Sequence, residues 1–219
     1  MDNNRYQQAL EDSAKTERHR RPPYQEYDDF ILSMLKGRCL EIGCGDGIGT
    51  RTFYPKCRSL VSLDLAPERI QRAKDNTKGL DVEFRNADAR QLPFADESFD
   101  TVLAFEIYEH FPGHRDQEKF LSEAARVLKK DGVFLVSTPN RPLFRLYCRL
   151  TKEKHSTHFT EVNYFQFQTA LKKVFFRVAV HGKFGWLSPW YRFKLVRSAH
   201  NFLSRFPLIC KGMLAVCRK

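Results

Sequence analysis

The run Cys39-Leu40-Glu41-Ile42-Gly43-Cys44-Gly45-Asp46-Gly47-Ile48-Gly49 constrains this chain more than any other segment. Apolar Leu40 and Ile42 flank an acid, and glycines then occupy every second position from 43 to 49. The pattern predicts a short buried strand that enters a glycine turn and then a helix. Glycine lets the backbone approach a ligand closely and take positive φ without strain. The helix start presents unpaired N–H groups to whatever sits there. Spacing removes two ligand classes. The dinucleotide turn G-x-G-x-x-G breaks at Ile48 when counted from Gly43 and at Thr50 when counted from Gly45. A phosphate-binding P-loop ends in Gly-Lys-Ser/Thr, and no lysine stands between Lys36 and Lys56.

The next segments repeat the strand–turn–helix theme. Leu60-Val61-Ser62-Leu63-Asp64-Leu65 is a second apolar run closed by an acid. It lies about 20 residues past the turn, where a ribose-binding carboxylate belongs in an α/β nucleoside site. Pro67 suits the first turn of a helix through Ala73. Val82–Ala89 reads as a third strand ending in a polar turn, Thr101–Glu106 as a fourth and Val133–Asn140 as a fifth, the last fed by a helix ending over Ala124–Gly132. This alternation predicts an open α/β sheet with helices on both faces.

In this order and at these distances, residues 36–140 resemble class I S-adenosylmethionine-dependent methyltransferases, in particular the O-methyltransferases of ubiquinone biosynthesis. The resemblance implies a Rossmann-like seven-stranded sheet of order 3-2-1-4-5-7-6 with strand seven antiparallel. It also implies a cofactor site: Gly43, Gly45 and Gly47 on the methionine part, Asp64 on the ribose hydroxyls, Asp88 beside Ala89 on the adenine amino group, and Glu41 and Glu106 near the methionine ammonium. Cys44 and Leu65 complete the expected contact set.

Glu106-Ile107-Tyr108-Glu109-His110 closes the fourth strand. Its E-x-x-E-H pattern resembles the metal motif of the ubiquinone O-methyltransferases and of small-RNA 3′-terminal 2′-O-methyltransferases. That resemblance implies a divalent cation such as Mg²⁺ on Glu106, Glu109 and His110, with His158 as a further ligand of the RNA type. The same residues fit a metal-free site, in which Glu106 serves the cofactor and His110, beside Glu109, acts as general base. They also fit a purely structural turn.

The 219 residues suit one domain: an N-terminal helical cap (1–36), a cofactor-binding core (37–140) and a basic C-terminal part (141–219). Residues 1–140 carry 21 Lys and Arg against 24 Asp and Glu, whereas residues 141–219 carry 16 against two. Such a basic block suits an anionic partner, or is merely a solvated face. Strand six is expected over Val174–Val180, after a helix capped by Thr160, and a final strand over Gly212–Cys217. The insert between them, about residues 182–210, shows apolar Leu195, Ala199, Phe202, Leu203 and Phe206 at helical spacing opposite Lys194, Arg197 and Arg205. That helix either covers the sheet or lies on an anionic membrane surface. Six cysteines without a C-x-x-C pair read as reduced thiols, and residues 1–21 read as no signal peptide; both point to the cytoplasm, with peripheral membrane contact left open. No apolar run reaches the 18 residues of a membrane span.

The expected function is methyl transfer from S-adenosylmethionine to a hydroxyl oxygen of a small or lipophilic acceptor. An RNA methyltransferase and a non-catalytic cofactor-binding subunit remain alternatives. RNA is the weaker partner, because the basic residues fall in no recognisable RNA-binding module.

Overall fold

Strand β1 (Arg38–Ile42) is buried over its last four residues, as a central strand covered on both faces must be. Leu40 and Ile42 point to one side, Cys39 and Glu41 to the other. The computed structural model describes residues 28–152, 157–183 and 203–219. In chain order it holds α1 (Asp28–Met34), β1, α2 (Ile48–Phe53), β2 (Ser59–Asp64), α3 (Pro67–Asn76), β3 (Val82–Asn86), β4 (Phe99–Phe105), α4 (His114–Val127), β5 (Leu128–Pro139), α5 (Arg141–Thr151), α6 (Tyr164–Lys172), β6 (Arg177–Lys183) and β7 (Gly212–Arg218).

The strands form one seven-stranded sheet of order β3-β2-β1-β4-β5-β7-β6. Strands β1 to β5 pair in parallel, and β7 runs antiparallel to both β5 and β6. This is the expected fold, order and direction included. One core lies between one sheet face and the inner sides of α4 and α6, with Ile42, Leu63, Val102, Phe120, Phe134, Phe167 and Met213. A second, with Ile31, Cys39, Phe53, Leu60, Leu103 and Leu135, fills the other face under α1 and α2.

Element ends depart from the sequence reading in three places. Helix α4 stops at Val127, and β5 begins at once, because Leu128 pairs with Phe99 across an irregularity in the β4–β5 ladder. The residues expected as a helix end, Leu128–Gly132, are therefore strand. Strand β6 starts at Arg177, three residues later than expected, since the amides of Val174 and Phe175 still donate to Leu171 O at the end of α6. Helix α6 is capped by Asn163 rather than Thr160: Asn163 Oδ1 accepts from Gln166 N and Gln166 Oε1 accepts from Asn163 N, a reciprocal capping box. Of the N-terminal cap, α1 is described and residues 1–27 lie outside the described part. The same holds for most of the 182–210 insert, including Leu195, Ala199, Phe202, Lys194 and Arg197. Phe206, expected on its helix, sits in a non-helical connection before a 3-10 turn at Pro207–Ile209.

Candidate functional site

The order of the sheet reverses direction between β1 and β4, so the carboxyl ends of these neighbours open the crevice where α/β sheets bind ligands. The glycine turn leaves β1 there. Gly43 and Gly47 have φ of 76° and 79°, which an L side chain tolerates poorly. Space is tight as well: a Cβ on Gly43 would stand 2.9 Å from Ile107 Cδ1, and one on Gly47 3.0 Å from the backbone at Ala73 Cα. The turn from β1 thus touches the turn from β4.

Asp64, at the end of β2, holds the glycine turn. Its Oδ2 accepts from Gly45 N at 2.9 Å and its Oδ1 from Ala66 N at 3.0 Å. Leu65 follows, its carbonyl accepting from Asn86 Nδ2 at 2.8 Å. Cys44 is buried against Ile70 and Ala73, with its amide given to Leu63 O. Glu41 is buried on the α2 side of the sheet, where Thr50 Oγ1 and Ser62 Oγ donate to its Oε2 at 2.6 and 2.8 Å. Burial pushes its carboxyl up to about 7 despite these two hydrogen bonds.

Asp88 follows β3, beside buried Ala89. Arg90 clamps it through Nε at 3.0 Å to both oxygens and Nη2 at 2.7 Å, and its own Nη1 reaches Asp116 at 3.2 Å. Burial alone would raise the Asp88 carboxyl; the Arg90 side chain and backbone N–H outweigh it and hold the group below the usual carboxylate range.

Beyond β4 the E-x-x-E-H segment divides. Glu106 bends off the strand with φ of 54°, a conformation costing on the order of 1–3 kcal/mol in a non-glycine residue. Ser137 on β5 fixes it, donating Oγ–H to Glu106 Oε1 at 2.7 Å and accepting the Glu106 amide on its carbonyl at 3.1 Å. Glu109 and His110 lie in the 3-10 turn Tyr108–His110. Glu109 is 1% exposed, and its Oε2 accepts from Thr138 Oγ1 at 2.9 Å. Its Oε1 faces His110 Nε2 at 4.0 Å and His158 Nε2 at 3.9 Å.

The two imidazoles are oriented from behind. His110 Nδ1 lies 2.7 Å from the carbonyl of Thr157. A carbonyl only accepts, so Nδ1 carries a proton, and in the neutral ring Nε2 then holds the lone pair. His158 Nδ1 lies 3.3 Å from Glu161 Oε1, which fixes the same tautomer. Glu161 in turn takes Arg145 Nε at 2.9 Å, and the His158 ring stacks on Phe144 at 5.1 Å between centroids. Among the described residues, Glu109, His110 and His158 bring three ligand atoms within 4.8 Å of one another; Glu106 stands apart from that group, held at Ser137.

Sequence reasoning did not find the residues that hold this cluster in place. Thr138, Thr157, Glu161 and Phe144 surround it, and buried Gln117 donates Nε2–H to the carbonyls of Tyr108 and Thr160 at 2.9 and 2.8 Å. Only the i, i+3 pair His158 and Glu161 was visible as a local pattern; the others meet across long sequence separations.

Comparison with known proteins agrees with the fold. A family described as a methyltransferase domain matches residues 40–136. A probable S-adenosylmethionine-dependent methyltransferase of Mycolicibacterium smegmatis is 36% identical over 121 residues, 53% of this chain and 45% of that protein. A ubiquinone biosynthesis O-methyltransferase of Azorhizobium caulinodans is 36% identical over 118 residues, 52% of this chain and 46% of its own length. A fatty-acid O-methyltransferase of Mycolicibacterium smegmatis is 42% identical over 113 residues, covering 49% and 38%. The aligned region thus spans less than half the length of each of these relatives. In fold, the chain is similar to the N-methyltransferase NodS of Bradyrhizobium japonicum, solved with S-adenosyl-L-homocysteine, at 17% identity and a TM-score of 0.66 over 99% of both chains. Over residues 40–136, fold, motif order and matched residues are together those of the class I S-adenosylmethionine-dependent methyltransferases.

Proposed function

We propose that the protein transfers the methyl group of S-adenosylmethionine to a hydroxyl oxygen of a small, lipophilic acceptor. The observation that carries this reading is His110 itself, its Nδ1 tied to Thr157 O at 2.7 Å and its Nε2 4.0 Å from buried Glu109, beside the turn that touches Gly43. A neutral amine needs no base to attack a methyl group, whereas a hydroxyl gains most from one. His110 Nε2 accepts the acceptor's proton as the oxygen forms its new bond to carbon. Glu109 stabilises the imidazolium that results, and Thr157 O holds the ring in line. The bound sulfonium supplies the electrophilic methyl, and the electron pair of the broken bond stays on sulfur. Asp64, Asp88 and the glycine turn hold the cofactor, and alignment contributes the rest of the rate. The names of the fatty-acid and ubiquinone relatives support oxygen and a lipophilic acceptor.

The converging Glu109, His110 and His158 atoms favour a second reading of the same cluster, as a divalent cation site. Both imidazoles give Nδ1–H to an oxygen and turn Nε2 inward, the arrangement of metal-bound histidine. Two imidazoles and one carboxylate suit a first-row transition dication; Mg²⁺, the ion that the motif's resemblance implies, prefers an all-oxygen shell. A bound ion would lower the pKa of an acceptor hydroxyl.

The test uses S-adenosylmethionine labelled in its methyl group, with nuclease-treated lysate, its organic extract and total RNA as acceptor pools. Label should enter organic-soluble material, and His110→Ala should cut turnover by about 10² to 10⁴ while cofactor affinity is unchanged. Label confined to RNA would replace the proposed acceptor class. Cofactor binding without transfer to any pool would leave a binding subunit.

A further inference from the structure

Helix α5 reads Arg-Pro-Leu-Phe-Arg-Leu-Tyr-Cys-Arg-Leu-Thr, and its two sides do different things. Inward, Phe144 is 7% exposed and lies flat on His158. Outward, Leu146 and Leu150 stand 51% and 75% exposed. The 3-10 turn at Pro207–Ile209 is tied to the start of this helix, because Asn140 Nδ2 donates to the carbonyls of Pro207 and Cys210 at 3.2 and 3.0 Å. Lys211, just past that turn, places its ammonium 3.9 Å from the centre of the Tyr147 ring on α5. On the turn, Leu208 and Ile209 are 53% and 55% exposed, after Phe206 at 49%. These two joined segments hold five of the seven large apolar side chains left exposed among the described residues.

Charge on the same segments has one sign. Arg141, Arg145, Arg149 and Lys152 belong to α5 and its end, and Arg205 and Lys211 flank the turn. Residues 141–219 contain only two acids, and of these Glu161 is already paired with Arg145 and His158. Exposed leucine and isoleucine within a basic surround are the chemistry of an interfacial helix. A nucleic-acid surface would stack aromatic side chains on bases and has no use for aliphatic ones. Among the described residues no helix is long and apolar enough to cross a bilayer, so the fitting geometry is docking on its surface.

We propose that α5 and the 207–209 turn form a docking face for an anionic lipid bilayer. Leucine and isoleucine enter the headgroup region, and the arginines and lysines meet lipid phosphates. The face lies about one helix diameter, roughly 10 Å, from the Glu109–His110–His158 cluster, because Phe144 of the same helix packs on His158. The proposal needs neither the acceptor nor the chemistry proposed above, and its test uses neither.

The experiment is co-sedimentation of the full chain with phosphatidylcholine vesicles, made with and without about 30% phosphatidylglycerol to supply negative surface charge. Binding is expected only to the anionic vesicles and should weaken at least about tenfold between low and physiological salt. Leu146→Ser with Leu150→Ser should weaken it by a further factor of about ten, and Arg149→Gln should act in the same direction. Each variant's melting curve and S-adenosylmethionine affinity should match wild type, since these side chains project into solvent. No vesicle binding, or binding that the double variant leaves unchanged, overturns the proposal. Equal binding to neutral vesicles overturns its anionic part. Concentration-dependent self-association abolished by the same variants, without vesicle binding, would assign the face to a second copy of the chain.

Discussion

Glu41 is an acid placed on the buried side of a central strand, and its surroundings decide its protonation. Thr50 and Ser62 each give it one hydrogen bond, which is less than water gives a carboxylate, so burial raises it to about 7. Its folded pKa then exceeds its unfolded value. The stability this side chain contributes is complete below the ordinary carboxyl pKa of 4.5 and is lost as pH rises through about 7. Each pH unit between those two values is worth about 1.4 kcal/mol, so the loss by pH 8 is roughly 3 kcal/mol. Glu41→Gln keeps an oxygen for both hydroxyl donors and carries no charge. It should therefore raise the melting temperature at pH 8, by on the order of 5–10 °C for a chain of this size, and change it little at pH 5. Melting curves of both proteins at the two pH values check this; parallel pH profiles would show that Glu41 does not titrate in the fold. In sequence Glu41 is legible as an acid that the family resemblance would put near the methionine ammonium. The sequence could not display Thr50 and Ser62 as its partners, because that pairing exists only once α2 folds back over β1 and β2.

At the scale of elements, the cluster at the end of β4 depends on a segment some fifty residues downstream. The amides of Phe159 and Thr160 both donate to Glu109 O, at 3.0 and 3.1 Å, and Thr157 O takes His110. Gln117 on α4 joins the two segments from behind, bonded to Tyr108 O and Thr160 O while 1% exposed. Gln117→Ala leaves both carbonyls without that donor in a buried place, at a cost of about 1–3 kcal/mol. It should also let the 157–161 segment drift from the Tyr108–His110 turn. The expected result is a modest fall in melting temperature, a larger fall in turnover, and S-adenosylmethionine affinity unchanged in titration calorimetry. Equal losses in affinity and turnover would mean that Gln117 supports the fold generally rather than the cluster. Strand–turn–helix repeats were legible because each is local: an apolar run, an acid, a helix start. Asn163 as the cap of α6 was less visible, since Thr160 offered an equally good hydroxyl three residues earlier, and only the reciprocal Gln166 bond selects between them. The early start of β5 was hidden for a different reason. Leu128-Lys129-Lys130 continues the helical composition of α4, and the partner that makes it a strand, Phe99, lies in β4.

Across the whole molecule, the sheet brings together two regions of unlike character. Residues 40–136, which match the methyltransferase family, supply the glycine turn, Asp64, Asp88, Glu109 and His110. The basic region beyond β5 supplies His158 and Glu161, with Phe144 and Arg145 behind them. A cation held by Glu109, His110 and His158 would therefore fasten the C-terminal region to the core. An ion that binds the folded chain and not the unfolded one raises stability by about 2.7 kcal/mol at one hundred times its dissociation constant. The metal-site reading thus predicts that Zn²⁺ or Mn²⁺ raises the melting temperature of chelator-treated protein and that Mg²⁺ does so far less, given two nitrogen donors. His158→Ala should remove the rise, and so should Glu109→Gln, whereas Glu106→Gln should leave it in place because Ser137 holds that side chain outside the cluster. Turnover should follow the same order, lost on chelation and restored by the ion that raised the melting temperature. If the chelated protein melts and turns over as before and no ion shifts either, the cation reading fails and the metal-free reading with His110 as base is left for His110→Ala to decide. In that case His158→Ala should alter turnover only as far as it disturbs the His110 ring, whose centroid lies 5.2 Å away.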